Sequence, residues 1–210
     1  MLTTTNHPNS FADVEQTRPI LGHVGLMVDT LISNASLEEL RSFARATLAS
    51  STPTVTAAFT AAARSHLAKI RATQSLTAGT LFHHDGDVWR PTEELPKILE
   101  RCRVLYGAGM GVAALTLLKE VVEKSVGVRW EEDSPVEQAL AAIDADLCQA
   151  IQSAKEELDR AGEKDSDVEA AREAREKLRS ALMASKHEVE EWEGDFPFES
   201  ALWSVDLWKL

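Results

Sequence analysis

Apolar residues recur three and four positions apart along most of this chain, and residues that cap helices bracket each run. Alternating strand patterns are nearly absent. Pro19 opens a helical pattern that reaches about Ser33, and "SLEE", Ser36 to Glu39, has capping-box spacing for a helix to about Ala49. Ser51 or Thr52 caps a third, alanine-rich helix, with Pro53 in its first turn and its end near Thr73. Thr92 to Pro96 opens a further pattern that continues through Leu118 to about Val126, interrupted by Gly107, Gly109 and Gly111.

Periodicity is clearest in the C-terminal half. After Pro135, the residues Val136, Leu140, Ile143, Leu147, Ile151, Ala154 and Leu158 fall on one narrow stripe of a long helix. Beyond the turn "AGEKDSD", a second long helix from about Asp167 to Glu193 sets Ala171, Leu178, Leu182, Val189 and Trp192 opposite a charged face. Glu156 with Arg160 and Glu173 with Lys177 have acid-before-base spacing, worth about 0.2–0.5 kcal/mol each. The expected fold is all-α: a bundle of roughly seven helices, a small β-hairpin insert near residues 80–90, and a long C-terminal antiparallel helix pair. Residues 1–10 are expected to be a tail. Residues 11–210 are expected to form one helical domain, with N-terminal helices in 11–79, the hairpin in 80–91, and core helices plus an aromatic ending in 92–210.

Charge and composition narrow the partners. With 34 acids against 22 bases the net charge is −12, and no dense basic stripe exists to neutralise a phosphate backbone, so nucleic acid is not an expected partner. The longest early apolar run, "ILGHVGLMVDTLI", is short and broken by His23 and Asp29, so no membrane span is expected. The opening "MLTTTNHPNS" lacks a basic start and an apolar signal core, and the two cysteines, Cys102 and Cys148, fall in helical patterns as small apolar residues. An intracellular setting, cytoplasmic or nuclear, follows as the expectation.

Four stretches carry candidate chemistry. In "LFHHDGDVW", residues 81–89, Asp85-Gly86 reads as a type I′ turn that would face His84 with Asp87, Phe82 with Trp89, and His83 with Val88. Adjacent histidines then point to opposite faces, so a metal site is disfavoured. Residues 102–133 mimic a dinucleotide fingerprint around "GAGMG", but Val112 stands where the third glycine belongs and no further strands follow to build a sheet. The glycines are read instead as a break between helices or a close backbone crossing. Asp144 and Asp146 lie about 200° apart on a helix and cannot share a ligand. Asp144 is expected to pair with an arginine, with Arg129 as candidate. No nucleophile motif occurs, and "HEVEE" at 187–191 lacks the Glu-x-x-His order and second copy of di-metal bundles.

Trp192, Phe196, Phe198, Trp203 and Trp208 crowd the last nineteen positions, so this ending is either core or an interface. At "LYGAGMG", "RWEED", "AIDADLCQAIQSAKEEL" and "FPFES…DLWKL" the chain resembles a conserved, uncharacterised group of all-helical proteins of filamentous fungi, most broadly over residues 93–210. That resemblance implies a helical fold and a eukaryotic intracellular setting, and it brings no activity, cofactor or site residue. The expected function is non-enzymatic: binding another protein or a second copy, as in a homodimer, through the C-terminal aromatics, with no cofactor. The alternative is a small-molecule-binding or enzymatic bundle with a pocket near Tyr106, Gly107, Gly109, Gly111 and Asp144.

Overall fold

Serine and proline set several helix starts. The computed structural model describes residues 26–73, 80–162 and 165–210; the tail and the first turns of the Pro19 helix lie outside them. Contacts along the chain divide it into two units, Met1–Thr52 and Pro53–Leu210. In the first, α1 spans Leu26–Asn34 and α2 spans Leu37–Ser50. The capping box forms as the spacing predicts: Ser36 Oγ accepts from the Glu39 amide at 3.3 Å, and Glu39 Oε2 accepts from the Ser36 amide at 2.8 Å. No described side chain of α1 or α2 is buried.

The second unit runs α3 (Pro53–Thr73), β1 (Phe82–Asp85), β2 (Val88–Pro91), α4 (Glu94–Gly107), α5 (Gly111–Ser125), α6 (Pro135–Ala161), α7 (Asp165–Glu191) and α8 (Glu199–Asp206). Ser134 caps α6 by accepting from the Glu137 amide, and Gly162 ends it in the left-handed region. α6 and α7 touch each other far less than each touches α5, so the two long helices of the C-terminal half meet largely through a third. Between them α5 acts as the central strut, packing on α4, α6 and α7. Its Leu115, Leu118, Val121 and Val122 are fully buried against the α6 stripe of Val136, Leu140, Ile143 and Leu147. Among the described residues no helix is long and apolar enough to cross a membrane.

The hairpin forms, one residue out of the expected register. His84 faces Trp89, His83 faces Arg90, Phe82 faces Pro91 and Asp85 faces Val88. The turn therefore centres on Gly86-Asp87, and Gly86 alone there has positive φ, at 65°, which is the type II′ pattern with glycine first. That register sets the His84 ring against Trp89, tilted by 57° with centroids 4.0 Å apart, and lets Arg90 pair with Asp85 at 3.0 Å. Phe82 is buried, Trp89 is half-buried against the core, and β2 rests on α6. The ribbon is thus supported by the helices, as a two-stranded sheet requires.

Candidate functional site

The glycine turn is closed by the helix beneath it. α4 ends at Gly107 and α5 begins at Gly111, so the glycines do break one helical pattern into two. They also permit a close crossing: a Cβ on Gly111 would stand 2.1 Å from the Ala154 nitrogen of α6. From the same face of α6, Ser153 Oγ donates to the Tyr106 carbonyl at 2.8 Å and Arg160 Nη2 donates to the Gly109 carbonyl at 3.2 Å. Between them Glu157 Oε2 accepts from the Val112 amide at 3.0 Å. No side chain of its own turn caps α5. A helix N-terminus after a glycine-rich turn draws an anion, and here that anion is the chain's own Glu157 carboxylate. Arg160 is used for this purpose and for the Glu156 carbonyl, so the expected pairing with the Glu156 carboxylate does not form; Gln152 donates there instead. Glu173 does hold Lys177, at 2.6 Å.

Tyr106 belongs to a network with Asp146, not Asp144. The Asp146 side chain is buried. Its Oδ1 accepts from Tyr106 OH at 2.9 Å and from Arg103 Nε at 3.0 Å, and Arg103 Nη2 stands 2.9 Å from Oδ2. Burial, helped by the hydrogen bond to Asp146, pushes the Tyr106 phenol up to about 12. Burial raises the neighbouring Cys102 thiol to about 12 as well. Both cysteines are free. Asp144 faces elsewhere: its Oδ1 accepts from the Ala201 amide at 2.9 Å, in the first turn of α8. The expected Asp144–Arg129 pair is therefore absent. Arg129 lies 5.3 Å from the centroid of the Trp192 ring, and that ring meets Trp130 edge-on at 5.0 Å.

α8 sorts the C-terminal aromatics. Phe198, Ala201, Val205 and Trp208 follow helical spacing and are all buried. Phe198 meets Phe196 edge-on at 5.8 Å, and Trp192 and Phe196 are half-buried. Arg175 Nε donates to the Val205 carbonyl at 3.2 Å, and Arg179 Nε donates to Asp206 Oδ1 at 2.7 Å. With α8 held at both ends, Trp203 points away from the core and is 68 % exposed. Beside it a groove of about 700 Å³ is lined by Lys186, Phe196, Glu199, Leu202 and Trp203. A cleft of about 1180 Å³ near the end of α6 is lined by Leu158, Val168, Leu207, Trp208 and Leu210 among others.

Of the aromatic residues singled out in the sequence, Phe198 and Trp208 are core, Trp192 and Phe196 are partly covered, and Trp203 alone stands clear. The sequence reading missed Ser153, Glu157 and Arg160 as turn-holding residues, although their spacing of four and three puts them on one helix face. Compared with family models, curated proteins and solved structures, the chain matches none.

Proposed function

We propose that this chain is a non-enzymatic interaction protein of the cell interior that binds another protein, or itself, through helical faces, with Trp203 as its anchor. The observation that carries the reading is the exposed indole of Trp203 on a helix fixed by Asp144, Arg175 and Arg179. An indole buries roughly 150–250 Å² when covered, and such aromatic anchors supply about 2 kcal/mol or more of binding energy at interface centres. Because α8 is already fixed, little ordering cost is left for the binding step. The adjoining groove, walled by Phe196 and Leu202, gives a partner side chain an apolar seat next to the ring.

A photo-crosslinking phenylalanine analogue in place of Trp203 tests the reading, with the same analogue at exposed Glu131 as control. In cells that make the protein, a discrete protein adduct is expected from position 203 and not from 131. Equal labelling at both positions, or none at 203, would count against Trp203 as an anchor.

A further inference from the structure

The surface around α8 holds both halves of a contact. Trp203 projects from it, and next to the ring lies an apolar seat, the groove of about 700 Å³ walled by Phe196 and Leu202. Knob and socket therefore stand side by side. The charges of the groove are paired in the same way. Lys186, Glu199 and Asp206 line it. Asp206 is already held by Arg179 at 2.7 Å. Lys186 lies 6.0 Å from the centroid of the Phe196 ring and reaches only Glu190 at 3.9 Å, while Glu199 pairs with no base among the described residues. One base and one acid are thus left on either side of the indole and its seat. Two chains of net charge −12 repel one another at a distance, so a face that meets its own copy has to bring base to acid.

We infer that the occupant of the Trp203 groove is the same surface of a second copy, in a two-fold dimer. Each indole enters the other chain's groove, and each Lys186 faces the other chain's Glu199. This pairing rests on the role of Trp203 as an anchor proposed above. A two-fold contact uses one patch twice, so that residue i meets residue j and j meets i. It requires a knob with its socket, and a base with its acid, on a single surface, and all four lie together around α8. The patch is small, being carried by an 8-residue helix and the edge of α7. It falls at the low end of protein interfaces, below about 600 Å² per chain, so the dimer dissociates on dilution.

The test is sedimentation of the full chain from micromolar to near-millimolar concentration, with circular dichroism to verify helicity. The wild-type mass should rise with concentration and level off at two chains. Trp203→Asp should remain monomeric. Lys186→Glu and Glu199→Lys should each associate at least tenfold more weakly, because each places like charges against each other twice. An equal mixture of these two variants restores both pairs, so it should form a mixed dimer within about threefold of wild-type strength. The chain carrying both substitutions should recover likewise, and a variant that had merely lost its fold would not. Growth beyond two chains, or a mixture no stronger than its components, overturns the reciprocal contact. A dimer that Trp203→Asp leaves intact forms on another face and overturns it too. A wild type that stays monomeric throughout overturns the pairing but leaves the anchor standing if position 203 still gives a discrete adduct with another protein. Monomer together with no adduct from position 203 ends both readings.

Discussion

Tyr106 is the chain's one tyrosine, so its ionisation can be followed in the ultraviolet spectrum without a background. The folded phenol should titrate near 12 and return to about 10 when the chain is unfolded. Because the folded value is raised, the stability it represents is fully present below the unfolded value and is lost as pH climbs toward the folded one. Cys102 contributes in the same direction over an overlapping range, so Tyr106→Phe should remove only part of the alkaline loss of thermal stability. A phenol that titrates near 10 in the folded protein would contradict the buried network. Asp146→Ala strands Tyr106 and Arg103 together. Its expected cost is about 2 kcal/mol by denaturant unfolding, below the 3–5 kcal/mol of fully buried pairs because Arg103 is half exposed. The buried acid was not legible in the sequence: Asp144 and Asp146 sit on one helix two positions apart, and only the placement of α4 and α8 decides which one meets an arginine.

At the scale of elements, the glycine turn makes the sharpest contrast. Gly111→Ala drives a methyl into the α6 backbone, whereas Gly107→Ala meets nothing within 4 Å. The first should cost about 3 kcal/mol, at the upper end of overpacking effects, and the second should be neutral or stabilise by up to about 1 kcal/mol. Equal effects in thermal unfolding would show that the crossing is looser than described. Glu157→Ala removes the one carboxylate that caps α5 from α6, and a loss of about 1 kcal/mol is expected in the same assay. Most element boundaries were readable: α2 and α3 begin where Ser36 and Pro53 place them, and α6 begins at Pro135. The hairpin register was not, because Asp-Gly and Gly-Asp are both good two-residue turns and the cross-strand contacts, His84 with Trp89 among them, form only in the folded ribbon. α8 was read only as a short segment, being 8 residues long and too short for periodicity to separate helix from loop.

For the whole molecule, the division of the C-terminal aromatics between core and surface links the fold to the proposed function. Sequence placed five aromatic rings in one short stretch and left open which were structural. Their sorting depends on the direction α8 takes across α6 and α7, which is a tertiary property. The most direct measurement is denaturant unfolding of Phe198→Ala and Trp203→Ala beside the wild type, at a concentration low enough to dissociate any assembly. Phe198→Ala should cost about 3–5 kcal/mol, as large-to-small core changes do, and Trp203→Ala should stay within about 0.5 kcal/mol of the wild type. If Trp203→Ala destabilises the isolated chain as much as Phe198→Ala, the indole serves the protein's own fold and the interaction surface proposed for it does not exist.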